Sequence, residues 1–297
     1  MTGWLWAIFT VVAAGGQTLR NAMQRELTAT LGTVGATHVR FLYGLPFAIC
    51  FLLVSLAATG HALPSLNATM LAWTAVGALT QICGTALLLA AMQERSFVVV
   101  TSLSKTEPVQ VAIFGLVFLG DHITPGLAVA ILMATAGVVL MSWPKKAATD
   151  ALSVEGAALG IGSGALFGMA AIGYRGGVLA LEAPNFIVGS STTLVVGLTF
   201  QVVLLSAYLL IRDRAALVSL FRAWRPSMTA GFMGAFASQM WLLAFSLESA
   251  AKVRTLALVE ILFAQILSRS VFKQGLASRE AIGIGLIVLG VILLLQS

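Results

Sequence analysis

Long uninterrupted apolar stretches run through this chain and limit the folds that it can adopt. An α-helix rises 1.5 Å per residue, so about 20 apolar residues are needed to cross the roughly 30 Å hydrocarbon core of a bilayer. Ten such stretches cover residues 3–23, 33–57, 70–91, 97–119, 125–143, 157–174, 185–211, 227–247, 253–272 and 281–297. Because they are continuous and show no polar alternation, they predict transmembrane helices and exclude a β-barrel.

The charge content excludes several classes of soluble protein. Charged residues make up 9% of the 297-residue chain, whereas a soluble domain carries about 25%. So few charges cannot cover the surface of a water-soluble globule, which excludes secreted enzymes, nucleic-acid-binding modules and disordered scaffolds. The N-terminus has no basic leader and no small-residue cleavage pattern, so we expect the first stretch to remain in the mature protein.

An internal repeat relates the two halves of the chain. The polar segment 144–156 separates five stretches from five, and a shift of 153 positions places Glu260 on Glu107 and Gly290 on Gly137 without a gap. An odd number of spans per repeat makes the halves enter the membrane from opposite faces. We therefore predict an all-α integral membrane protein with ten transmembrane helices. They form two inverted five-helix repeats, 1–143 and 157–297, joined by the connection 144–156.

Basic residues in the connections predict the orientation of the chain. Connections after odd-numbered stretches hold Arg25, Arg95, Lys145, Lys146, Arg212, Arg214, Arg222, Arg225, Lys273 and Arg279. Connections after even-numbered stretches hold only Arg175 and Lys252. Because short cytoplasmic connections are enriched in Lys and Arg, the odd connections are expected in the cytoplasm and both termini outside it.

Ionisable residues within the stretches are the candidate functional residues. The basic ones are Arg20, Arg40, Lys105, Arg254 and Arg269, and the acidic ones are Glu107 and Glu260. An ion at the membrane centre costs about 2.5–3.5 kcal/mol, so such residues should face a protein interior or a water-filled cavity. Arg20, Arg254 and Arg269 lie near the ends of their stretches, where snorkelling to the interface is the alternative.

Glu107 and Glu260 are the strongest candidates for functional residues, because they occupy equivalent depths in equivalent helices. Lys105 lies two residues before Glu107 and points to another side of the helix, so the partner of Glu107 must come from another span. Two interpretations remain open: a site for substrate or coupling, and two buried salt bridges that fix helix packing. Pro108 removes a backbone donor beside Glu107 and is either a hinge or an inert kink.

Polar faces on the first two stretches supply further candidates. Gln17, Arg20 and Asn21 share one face of the first stretch, and Thr37 and Arg40 share one face of the second. These side chains either line a cavity or bond neighbouring helices. His38 is expected to be a packed polar residue. Gly160, Gly164 and Gly168 form a GxxxGxxxG face that predicts close helix packing.

Motifs for several chemistries are missing from the sequence. It has no GxxxxGK[ST] phosphate loop, no GxSxG elbow, no HExxH and no cluster with metal-ligand spacing. We therefore expect no enzymatic activity, no cofactor and no metal site, and no ATP-driven transport by this chain alone.

Four segments of the first half carry a family resemblance. They read AMQERS at 91–96, KTEP at 105–108, FLGD at 118–121 and AGVVL at 136–140, and the second half repeats them loosely at 248–250, 259–260 and 289–292. In this order they resemble the EamA-type ten-helix members of the drug/metabolite transporter superfamily. The resemblance implies export of amino acids, other metabolites or drugs. It also implies cytoplasmic termini, opposite to the orientation that the charge count predicts.

Together these features predict a secondary active transporter in the cell inner (plasma) membrane. We expect a monomeric or homodimeric efflux protein or antiporter that exports a small amino acid-like or amphipathic metabolite by alternating access. Glu107 or Glu260 would exchange a proton for substrate if transport is proton-coupled, and Arg40, Lys105 or Arg254 would bind a substrate carboxylate. The alternative is a non-transporting receptor or a structural membrane protein, with the lipid bilayer as its partner and no nucleic acid bound.

Overall fold

A computed structural model of the chain describes residues 3–91, 103–142, 154–262 and 278–297. In these ranges the regular structure is helical and contains no strand. The helices are α1 (Leu5–Leu42), α2 (Gly44–Thr59), α3 (Ala68–Ala91), α4 (Glu107–Phe114), α5 (Pro125–Ser142), α6 (Val154–Ala180), α7 (Phe186–Arg212), α8 (Arg214–Arg222), α9 (Trp224–Leu247), α10 (Ala250–Leu256) and α11 (Ser278–Gln296). A π-helical turn, Gly115–Leu119, continues α4, and a 3₁₀ turn, Ala257–Val259, follows α10.

Seven segments in the described ranges are long and apolar enough to cross a membrane. They are Val34–Thr59, Ala68–Leu88, Pro125–Ser142, Ala157–Ala180, Phe186–Arg212, Trp224–Leu247 and Ser278–Gln296. Each overlaps a stretch that the hydropathy pattern predicts, and the all-helical fold class is confirmed over the described ranges. Arg95, Lys145, Lys146, Arg269 and Lys273 lie outside the described residues, as does the side chain of Asn21.

Two helical features were not predicted. The helix of the first stretch continues to a break at Gly32, where φ is 66° and only glycine is unstrained, and the rest of α1 belongs to the second stretch. Helix α8 lies in a segment expected to be a plain connection, and the Asp213 side chain caps it by accepting a hydrogen bond from the Ala216 amide.

The described chain divides into two compact units. Unit 1 comprises Met1–Leu79 and Gly173–Leu247, and unit 2 comprises Thr80–Ile172 and Glu248–Ser297. Each unit therefore combines helices from both halves of the sequence.

Unit 1 is held by close helix contacts at small residues. In α1, a Cβ atom added to Gly16 would lie 3.4 Å from the Ala237 Cβ of α9. In α6, a Cβ added to Gly173 would lie 2.5 Å from the Gly77 amide nitrogen of α3. Glycine thus lets these backbones approach closely, as is common between membrane helices.

Unit 2 uses the same principle at two helix pairs. In α5, a Cβ on Gly137 would lie 2.6 Å from the Gly283 carbonyl oxygen of α11. On α6, Gly164 and Gly168 pack against Ser104 and Val111, at 3.0 Å and 3.1 Å from an added Cβ. The close packing predicted for the GxxxG face is confirmed at these two glycines.

Candidate functional site

The backbone is interrupted immediately before Glu107. Lys105 and Thr106 form a turn, and α4 begins at Glu107 with Pro108 in its first turn. The first turn of a helix has no intrahelical partner for its amide groups, so proline costs nothing there and its fixed φ favours helix initiation. Pro108 therefore starts a new helix segment rather than kinking a continuous one.

A second interruption lies at the corresponding place in the other half. The 3₁₀ turn Ala257–Val259 directly precedes Glu260, and the shift of 153 positions maps these three residues onto 104–106. Both glutamates thus follow irregular backbone within an apolar stretch. In membrane transporters, discontinuous helices of this kind commonly surround substrate and ion sites.

Glu107 forms a two-pronged ion pair with Arg254 of α10. The Arg254 Nη2 atom donates to Glu107 Oε2 at 2.7 Å, and Arg254 Nε lies 2.7 Å from Glu107 Oε1. The Arg254 side chain is only 19% exposed, and the Glu107 side chain is only 11% exposed. The prediction that the partner of Glu107 comes from another helix is therefore confirmed, and snorkelling does not describe Arg254.

Glu260 forms the reciprocal ion pair with Lys105. The Lys105 Nζ atom donates to Glu260 Oε1 at 2.6 Å. The Lys105 side chain is 30% exposed and that of Glu260 is 17% exposed, so this pair is more accessible than the first. Each glutamate is thus neutralised by a cation from the other half of the sequence, and both pairs lie within unit 2.

The remaining candidates lie in unit 1. Arg20 and Arg40 are both buried, with 8% of each residue exposed, and they flank Gly234 of α9. A Cβ on Gly234 would lie 3.3 Å from Arg40 Cβ and 3.7 Å from Arg20 Cδ. Gln17 accepts a hydrogen bond from the indole nitrogen of Trp241 at 3.2 Å.

His38 is fully buried, and its Nε2 atom lies 2.9 Å from the hydroxyl of Ser206 on α7. This geometry agrees with the expected role of a packed polar residue.

The assignment of Arg175 to a connection is wrong. Helix α6 extends to Ala180, so Arg175 lies inside it, and its Nη1 atom donates to the Phe245 carbonyl at 2.6 Å. Lys252 likewise lies within α10. The glycine-rich sequence around Arg175 hid the continuation of the helix, since glycine favours breaks in helices that tertiary packing does not support.

Residues 1–143 match the EamA-like transporter family. The matched region is just under half of the chain. The match is consistent with membership of the drug/metabolite transporter superfamily, and it covers Gln17, Arg20, Arg40, Lys105 and Glu107.

The fold has a counterpart among solved proteins. One crystal structure is similar over 98% of this chain and 96% of its own, with a TM-score of 0.70 and 12% sequence identity. At this identity the similarity shows the fold alone. No curated protein sequence matches the chain.

The match to the EamA-like transporter family over residues 1–143, together with the apolar helices, indicates a multi-pass membrane protein. A family of transporters implies a small-molecule substrate and contact with membrane lipid, and it is not a family of enzymes.

Proposed function

We propose that this chain is a secondary active transporter that exports a small amino acid-like or amphipathic metabolite by alternating access. The observation that carries the proposal is the reciprocal pairing of Glu107 with Arg254 and of Glu260 with Lys105. Both pairs lie at breaks in helices that the repeat relates. A charge-balanced group of this kind offers exchangeable partners for both charges of a zwitterion.

The helix pairing supports ten transmembrane helices in two inverted repeats, 1–143 and 157–297. Under the shift of 153 positions, α5 corresponds to α11 and α2 to α7, and each of these helices packs against its own counterpart. Helix α1 of the first repeat packs on α9 of the second. In the equivalent contact, α6 of the second repeat packs on α3 of the first. A two-fold relation between the halves requires this pattern, and inverted repeats give a transporter two equivalent conformations.

The ion pairs suggest how substrate binding is coupled to conformational change. A substrate carboxylate that approaches Arg254 or Lys105 competes with the glutamate for the same donors. A substrate ammonium group or a proton then neutralises the released glutamate. When substrate groups replace partners in the ion pairs, the relative energies of the two transporter conformations depend on whether substrate is bound. This dependence is the condition for a ligand to shift a conformational equilibrium.

The orientation proposed from the charge distribution places both termini outside the cytoplasm, in the inner (plasma) membrane. Helix α8 and its flanks carry Arg212, Arg214, Arg222 and Arg225. Exposed Phe221 and Trp224 accompany these arginines. Basic residues beside aromatic ones suit the anionic cytoplasmic surface of a membrane.

A structural role is the second candidate, and the same ion pairs favour it. Buried salt bridges can fix helix packing without any part in flux, and a membrane receptor would need nothing more. Breaking a buried pair is costly because it leaves an uncompensated charge. The two candidates differ in whether the glutamates affect flux per folded molecule.

Transport in proteoliposomes tests the proposal. Vesicles that contain the purified chain should accumulate or exchange radiolabelled amino acids or amphipathic drugs, and an imposed pH gradient should change the rate if protons are coupled. Protein-free liposomes of the same lipid composition are the control. Uptake equal to that control for every solute class, with and without the gradient, would favour the receptor or structural role.

A further inference from the structure

Arg40 is an unusual cation because its charged end is buried inside a transmembrane segment. It lies six residues after the start of Val34–Thr59, which corresponds to about 9 Å along a helix at 1.5 Å per residue. Only 8% of the residue is exposed, and the Nη2 atom itself is buried. A snorkelling arginine would instead extend its head group to the interface.

The guanidinium group of Arg40 has a stacked face and an unused edge. Its central carbon lies 4.3 Å from the centre of the buried Phe41 ring, so the aromatic ring contacts one face. The Nη2 atom has no hydrogen-bond partner among the residues that the structure describes. Arg254 in unit 2 contrasts with this, because two of its nitrogens lie 2.7 Å from carboxylate oxygens.

No carboxylate in the described part of unit 1 compensates Arg40. The acidic side chains described in this unit, Glu182 and Asp213, are both exposed. Arg20 adds a second buried cation, and its Cδ atom and the Arg40 Cβ atom lie 3.7 Å and 3.3 Å from the position of a Cβ added to Gly234 of α9. Two arginine side chains therefore pack against the same point of α9, and the Arg40 charge has no acidic counterpart in these ranges.

We propose that Arg40, assisted by Arg20, binds an anionic oxygen group, a carboxylate or a phosphate, of the transported solute. This inference rests on the proposed transport function and specifies its substrate class. A guanidinium with a stacked face and a free edge is arranged to donate to two oxygens of a planar or tetrahedral anion. A purely structural arginine at this depth would satisfy Nη2 with a carbonyl or a carboxylate, since an unsatisfied buried donor is costly.

Ligand-dependent thermal stability of the purified full chain in detergent tests the site without requiring flux. The probes are matched sets: leucine, 4-methylpentanoate and leucinamide, then glucose 6-phosphate and glucose, with inorganic phosphate as a bare anion. We expect at least one anionic probe to raise the melting temperature by several degrees, and its uncharged or amide counterpart to have no effect.

Variants of Arg40 localise the effect. Arg40→Gln should weaken the anion-dependent stabilisation at least tenfold in probe concentration, and Arg40→Lys should weaken it less because the charge remains. Arg214→Gln removes an exposed arginine from α8 of the same unit and should leave the response unchanged. If Arg40→Gln does not fold, the comparison of Arg40→Lys with the native chain decides.

The inference would be overturned by equal stabilisation by amide and carboxylate probes, by no stabilisation with any anion, or by a native-strength response in Arg40→Gln. A phospholipid that native mass spectrometry finds on the native chain and not on Arg40→Gln would also overturn it, since the bound phosphate would then belong to a lipid. Anion-dependent stabilisation without flux would refute transport and retain the anion site. Flux of cationic or neutral solutes alone would support transport and refute the anion site.

Discussion

The side chains of Glu107 and Arg254 share one buried ion pair, and each depends energetically on the other. Removing one partner leaves a charge without compensation in a low-dielectric environment. Glu107→Gln and Arg254→Gln should therefore each lower the free energy of unfolding by about 3 kcal/mol. The double variant should recover much of that loss because it leaves no unpaired charge.

Thermal unfolding in detergent measures this double-mutant cycle. Glu182→Gln is a matched control, since Glu182 is exposed and its substitution should be neutral. Additive losses in the double variant would mean that the two side chains do not interact in the folded protein.

For these individual residues, the sequence identified which ones are charged but not which residues pair with them. Burial of Glu107 follows from its position inside an apolar stretch. Its contact with Arg254 spans 147 positions, and that of Lys105 with Glu260 spans 155. Pairing over such separations depends on how helices pack, which periodicity within one helix does not encode.

Helix pairs are held at positions where only glycine fits, and α5 with α11 shows this most clearly. A Cβ on Gly137 would approach the Gly283 carbonyl oxygen to 2.6 Å, so Gly137→Ala should force the helices apart and cost about 1–3 kcal/mol. Gly285→Ala on α11 meets no atom within 4 Å and should be neutral or slightly stabilising, since alanine favours helix. Melting temperatures of the two variants test this, and equal values would contradict it.

Hydropathy located most helices at this scale because about 20 apolar residues per span is a strong signal. It missed the continuation of α6 through Arg175 and the helix α8, which at nine residues is too short to give the signal of a membrane span. It also could not show that Pro108 begins a helix segment, because proline is compatible with both a kink and a first turn.

For the molecule as a whole, membrane orientation is the property on which charge pattern and family resemblance disagree. The segment that contains Arg212, Arg214, Arg222 and Arg225 is predicted to be cytoplasmic. A reporter enzyme active only in the cytoplasm should therefore be active when inserted there and inactive when inserted in segment 60–67. The opposite result would place both termini in the cytoplasm, as the family resemblance implies.

Glu107 and Glu260 are proposed to act together in transport, and flux through their glutamine variants tests this proposal. Both singles and the double should be reconstituted, with flux normalised to folded protein and thermal stability measured in parallel. If the two residues act as a unit, each single should lose most of the coupled flux, and the double should be little worse than the more damaging single. Near-normal flux per folded molecule, with stability losses that add within about 0.5 kcal/mol, would instead make both glutamates structural.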